Sequence, residues 1–215
     1  MDIHQVGWNQ KVAHGIIAWL EKRRMSGSYA VDAVQAGQQI MEMIPPGSTV
    51  YGCGSVSVVE TGLWEKLAAI EGLTVLRHYQ RPDATPEEEM DLRRRGLTAD
   101  VMVASSNAIT LDGRLVNLDG MGNRVAAMAF GPHKVILVVG MNKVTPDLDS
   151  AIARVKHYAA PVNALRRGKQ TPCAENGLCV DCRAYGRICN FWSIIEGSMI
   201  PNRIHVVLVG EALGY

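Results

Sequence analysis

The sequence predicts a three-layer α/β domain, a mostly parallel sheet flanked by helices. Short apolar runs alternate with stretches of helical period from Thr49 onward, as parallel strands joined by helical crossovers require. Several runs are apolar at successive positions, such as Val101-Met102-Val103-Ala104, which marks strands buried on both faces. Segments rich in Gly, Asn and Ser follow those strands, where an open parallel sheet places its ligand loops.

Taken in order, residues 1–46 read as a helical pair. Trp8, Val12, Ile16 and Leu20 recur every fourth residue, forming one apolar stripe that ends at Lys22-Arg23-Arg24. A second helix is expected from about Tyr29 to Ile44, stopped by Pro45-Pro46-Gly47. Both helices are amphipathic enough to pack on a sheet or on a second copy, so a homo-oligomer is one expectation. Next come a strand at Thr49-Val50-Tyr51, a helix over Val58 to Ile70 and a strand over Leu73 to Leu76. A helix over Pro86 to Arg95 precedes the strand at Val101 to Ala104. Asp112-Gly113 then turns a hairpin between Ala108–Leu111 and Arg114–Leu118. A strand over Lys134 to Val139, a helix over Leu148 to Tyr158 and a strand over Arg203 to Val209 close the pattern. No repeat interrupts it, so residues 1–215 read as a single domain, with a cysteine-rich segment at 171–190.

Composition narrows the function. The formal net charge is +1, which gives the whole molecule no electrostatic reason to bind nucleic acid. Arg93-Arg94-Arg95 lies among Glu87, Glu88, Glu89 and Asp91 and reads as a solvated helix face. No apolar run reaches the roughly 18 residues of a membrane span. The apolar piece Gly15 to Leu20 has its positive cluster after it, the reverse of a secretory leader, so a cytoplasmic location is expected. Thiols stay reduced in that compartment, which makes the cysteines ligands or reactive groups before disulfides.

Two loop groups point to a ligand. Gly52-Cys53-Gly54-Ser55-Val56-Ser57 joins a strand to a helix, where glycines admit a close backbone approach and helix-start N–H groups attract an anion. Its spacing is neither a dinucleotide fingerprint nor a P-loop. Ser57 and Glu60 have capping-box spacing, so Glu60 serves the helix end or, alternatively, acts as a catalytic carboxylate. The second group is Ser105-Ser106-Asn107 with Asn117 to Arg124, joined by Asn142-Lys143. Arg124 is the natural clamp for a carboxylate or phosphate. The expected ligand set is therefore Gly52, Gly54, Ser55, Ser106, Asn107, Asp119, Gly122, Asn123, Arg124, Asn142 and Lys143; the alternative is turn chemistry satisfied within the protein.

Cys173, Cys179, Cys182 and Cys189 fall in one short stretch. Four thiolates complete an iron–sulfur cluster or a zinc site, although the spacing matches neither a zinc ribbon nor the usual ferredoxin run. Reversible disulfides and unligated thiols are the other readings. Cys53 reads as a packed thiol before a nucleophile, and the histidines lack metal spacing. His78, His133 and His205 lie beside predicted strands and His14 on a helix, with no catalytic base among them.

With these residues in view the chain resembles the lactate-utilisation (LUD) domain family, in the branch that carries a C-terminal cysteine-rich segment. The resemblance rests on Gly54-Ser55 with Glu60, Ser106 to Thr110, Asp112-Gly113, Asn117 to Ala127 and Phe130-Gly131-Pro132. It continues through Gly140 to Lys143, Ala160 to Ala164, Thr171-Pro172-Cys173 and Val209 to Gly214. It implies a fold similar to the sugar-phosphate isomerase and CoA-transferase superfamily. It also implies a link to bacterial lactate oxidation, where members accompany iron–sulfur and oxidoreductase partner proteins. No catalytic residue comes with it, and Cys53 stands where relatives are expected to have glycine. The primary expectation is an accessory or redox-linked component that binds a small anionic ligand. The alternatives are an enzyme acting on a CoA ester or phosphorylated small molecule, and a thiol-based sensing module.

Overall fold

The structure is a computed structural model that describes residues 2–77 and 83–215. Among these the strands are, in chain order, β1 (Ser26–Ala30), β2 (Thr49–Gly52), β3 (Thr74–Arg77), β4 (Val101–Ala104), β5 (Ala108–Thr110), β6 (Leu115–Asp119), β7 (Lys134–Gly140), β8 (Val144–Thr145), β9 (Phe191–Ile195) and β10 (Ile204–Val209). The α-helices are α1 (Ile3–Lys22), α2 (Ala33–Glu42), α3 (Val56–Glu60), α4 (Leu63–Ala68), α5 (Pro86–Gly96), α6 (Asn123–Ala129), α7 (Leu148–Arg154), α8 (Ala160–Arg166) and α9 (Pro172–Asn176).

The central sheet has six parallel strands in the order β1-β10-β7-β4-β2-β3. Its residues alternate between two cores. Val135, Leu137 and Val139 of β7 face one side, with Ile16 and Leu20 of α1 and Met128 of α6. Ile136 and Val138 face the other, with Ile40 of α2 and Leu63, Trp64 and Leu67 of α4. Helices on both faces make three layers, and each fully buried Val, Leu or Ile contributes about 1.5–3 kcal/mol. No helix among the described residues is long and apolar enough to cross a membrane.

The structure departs from the expected elements in four places. The expected helix over Tyr29 to Ile44 begins only at Ala33, where the Asp32 side chain accepts the Gln35 N–H; residues 26–30 before it form an edge strand on β10. The expected helix over Val58 to Ile70 breaks into α3 and α4 at Gly62, whose φ is +64°, the left-handed region open to glycine. The helix from Leu148 runs on to Arg166, because one wide π turn at Val155–Ala159 absorbs Pro161, which has no N–H to give His157. The hairpin of β5 and β6 lies in a second sheet, ordered β8-β5-β6-β9. Its strand Phe191–Ile195 gave no separate signal, since the cysteine-rich stretch precedes it.

Arg203, expected to open the last strand, precedes β10 and does other work. Its side chain is buried and donates to the carbonyls of Ala127, Met128 and Pro132, closing the C-terminal end of α6.

Candidate functional site

A cleft of about 360 Å3 opens beyond the carboxyl ends of β2, β4 and β6. Cys53 to Ser57 follow β2, Ser105 to Asn107 follow β4, and Leu118 to Met121 with Asn123 and Arg124 lie around the end of β6. The two loop groups singled out from sequence therefore share one rim. Gly54, at φ +65°, turns the chain away from β2 into α3 without the strain an L side chain would bring. The helix starts two residues earlier than its capping-box spacing implied. Ser55 is the N-cap, accepting from Val58 N, and this releases Ser57 to the interior.

Lys143 forms the floor. It sits on the turn after β7, is 2% exposed, and its Nζ donates to Ser57 Oγ at 2.7 Å and Ser105 Oγ at 3.0 Å. Burial, then the guanidinium charges of Arg154 and Arg124, hold its amine down to about 7. Among the described residues no carboxylate bonds to it directly. An amine so placed titrates near neutrality and gains from any anion that arrives.

The walls are braced from within. Arg124 donates to Asp119 Oδ1 at 3.2 Å, Asn107 Oδ1 at 2.9 Å and the Leu118 carbonyl at 2.8 Å. Asn107 Oδ1 also accepts the Leu118 N–H, and Arg154 donates to the Asn107 carbonyl at 2.6 Å. Asn123 donates to the Tyr51 hydroxyl, and Ser106 Oγ to the Ala108 carbonyl. Much of the polar cluster thus does the turn chemistry offered as the alternative reading, while its positive charge still faces the cleft.

The opposite wall escaped the sequence reading. Asn163, Arg166, Arg167, Lys169, Arg187 and Tyr215 line it. Arg166 donates to Asn163 Oδ1 at 2.8 Å and lies over the Tyr215 ring, 5.8 Å from its centroid. Arg93, read as part of a solvated face, also reaches the cleft, with 11% of its side chain exposed and an ion pair to Glu89 at 2.8 Å. Among the described residues the cleft carries seven Lys or Arg side chains against one carboxylate, Asp119. The signal available in sequence was the dense run Arg166-Arg167-Gly168-Lys169, which dilutes to nothing in a whole-chain charge of +1.

Of the eleven expected ligand residues, eight line the cleft: Gly54, Ser55, Ser106, Asn107, Asp119, Asn123, Arg124 and Lys143. Gly52 instead packs on Trp64, where an added Cβ would meet the ring at 2.5 Å. Gly122 shapes its loop, at φ +94°, and donates to Asp119 Oδ2. Asn142 clamps the C-terminal tail, accepting from Leu213 N and donating to the Gly214 carbonyl. Glu60, considered as a catalytic carboxylate, is not on the cleft wall and accepts the Gly214 N–H at 2.8 Å. Cys53 lines the cleft, but burial pushes its thiol up to about 12, leaving it protonated. His205 bridges Ser26 and Ser28 through its two ring nitrogens and, pushed down to about 4 by burial, is neutral. His78 lies outside the described residues.

The four clustered cysteines line one small apolar cavity of about 20 Å3 beside the cleft. Arg187 and Ile188 belong to the walls of both. Among the described residues no three His, Cys, Asp or Glu side chains converge closely enough to hold a single metal ion. The donor set fits thiolate coordination in kind, and surrounds a space rather than a point.

A solved structure shares this architecture. The chain overlays a DUF162 family protein from Deinococcus radiodurans with a TM-score of 0.53 at 15% identity, covering 94% of this chain and 98% of the other. A weaker overlay, TM-score 0.34 at 14% identity, spans 53% of this chain and 52% of ribose 5-phosphate isomerase from Plasmodium falciparum. No curated protein matches the chain. The family model of the LUD domain matches residues 14–209, from within α1 to the end of β10. The chain belongs to the LUD domain family, which is associated with lactate utilisation.

Proposed function

We propose that the chain serves lactate or organic-acid utilisation by binding a small, multiply charged anion in this cleft. The observation that carries the reading is the imbalance of residue types: six Arg or Lys side chains besides Lys143, and one carboxylate, around about 360 Å3. A cavity of that size suits a small-molecule ligand. Arg124, Arg93 and Arg187 already pair with Asp119, Glu89 and Asp181, and the remaining positive charge still exceeds the single carboxylate of lactate. A phosphoryl-bearing ligand matches it better, which favours the phosphorylated or CoA-linked class. Thermal unfolding at constant ionic strength tests this: pyrophosphate should raise Tm more than inorganic phosphate, and phosphate more than lactate. Equal, small shifts for all three would reject the reading.

Catalysis on that ligand is a second reading, favoured by Lys143. An amine held near 7 on a cleft floor suits proton transfer to or from a bound anion. Turnover lost in Lys143→Met but retained in Glu60→Gln would support it, and the reverse pattern would reject it.

A further inference from the structure

We infer that Cys173, Cys179, Cys182 and Cys189 together hold an iron–sulfur cluster against the wall of the anion cleft. Chain economy is the first argument. From Leu178 to Asn190 the chain forms no helix or strand. Leu178, Val180 and Tyr185 point outward, at 68%, 61% and 109% exposure. A segment that shows these apolar side chains to water has little hydrophobic core of its own, and its four cysteines instead line one inner cavity.

Local geometry is the second argument. Asp181 adopts φ +50°, rare for a non-glycine residue, in the turn between Cys179 and Cys182. The Arg187 guanidinium holds the turn closed by donating to the carbonyls of Cys182 at 2.5 Å and Cys189 at 2.8 Å. Its Nε is buried without a hydrogen-bond partner. Thr171 Oγ1 lies 3.4 Å from Cys173 Sγ. Lys156 and Arg187 at the cavity wall share one carboxylate, Asp181, at 3.7 and 3.8 Å, and the net positive charge left there suits a group bound by four thiolates.

The arrangement separates the two candidate metals. A zinc ion binds each sulfur at about 2.3 Å and gathers all four around one point. No such convergence occurs among the described residues. A multi-iron cluster instead spreads its four sulfurs around a body of iron and sulfide.

The cluster would also bear on the cleft. Asn190 N donates to the Asp119 carbonyl at 2.8 Å and Asn190 Nδ2 to the Gly120 carbonyl at 3.0 Å, so the end of the segment is fastened to the cleft loop. Arg187 faces both cavities. This consequence rests on the anion-binding reading; the metal assignment does not.

The test is metal and sulfide analysis of the full chain, produced with ample iron and isolated without oxygen. Iron and acid-labile sulfide should be present in equal amounts, with broad visible absorption that bleaches on reduction by dithionite. Cys182→Ser should lower both. Zinc at one ion per chain without sulfide would overturn the assignment, as would four titratable thiols without metal, or disulfide-linked peptides in a non-reduced digest. The wild-type measurement decides even if the variant fails to fold. Removing the cluster with a chelator should then weaken pyrophosphate binding roughly fivefold or more. Unchanged affinity would overturn the coupling alone.

Discussion

Lys143 Nζ and Ser57 Oγ lie 2.7 Å apart across 86 residues of chain, tying the turn after β7 to the helix that follows β2. Ser57 passes the connection on, donating to the carbonyl of Leu213 at 3.2 Å. Three separate segments are therefore linked in one chain of hydrogen bonds that starts at a buried amine, and the state of that amine is felt by the fold as well as by a ligand.

Stability should depend on pH through Lys143. Its pKa is about 7 in the folded chain against an ordinary value of 10.5, so between those values the unfolded chain binds a proton that the folded chain lacks. Stability then rises with pH across that window, by at most about 1.4 kcal/mol per pH unit, and this contribution is flat below it. Denaturant titrations of wild type and Lys143→Met at pH 6, 8 and 9 check this. The difference between the two should move in favour of wild type as pH rises; a constant difference would contradict the assignment.

Arg124→Lys should weaken anion binding by about tenfold or more, because each charge-assisted bond of the guanidinium contributes roughly 1.5–3 kcal/mol. The lysine keeps the charge but cannot span Asp119, Asn107 and the Leu118 carbonyl together. Calorimetric titration with pyrophosphate checks it. Wild-type affinity in this variant would show that Arg124 contributes charge alone.

Arg203→Ala should act on stability and leave the cleft alone. Three carbonyls lose their buried donor, at a cost of about 2–4 kcal/mol. Urea unfolding should show that loss, while pyrophosphate affinity measured well below the unfolding midpoint stays at the wild-type value.

How much of this was legible depends on the range of the interactions. The parallel strands announced themselves because β4 and β7 are apolar at consecutive positions, and each was read nearly to its ends. Ser26 to Ala30 was not, since Ser26-Gly27-Ser28 becomes a strand only by pairing with His205 to Val207, far away in sequence. The cleft divides the same way. Gly54, Asn107 and Arg124 stand in loops whose glycine and amide content marks them. Arg166, Arg167 and Lys169 come from the end of α8 and beyond, and nothing local says that they face β2 across a gap. Ser57 misled because S-x-x-E spacing satisfies a capping box on paper, whereas Ser55 holds that role and Glu60 bonds the tail.

Calorimetric titration of wild type and Lys143→Met with pyrophosphate, at fixed ionic strength and at pH 6.5 and 8.5, tests the central claim most directly. Wild type should bind at a single site, more tightly at pH 6.5, taking up a proton at pH 8.5 as the bound anion draws the Lys143 amine back to its charged form. Lys143→Met should bind roughly 10–100-fold more weakly, with no proton uptake from this group. Equal affinity in the two proteins, or no saturable binding in either, would contradict an anion site built on Lys143.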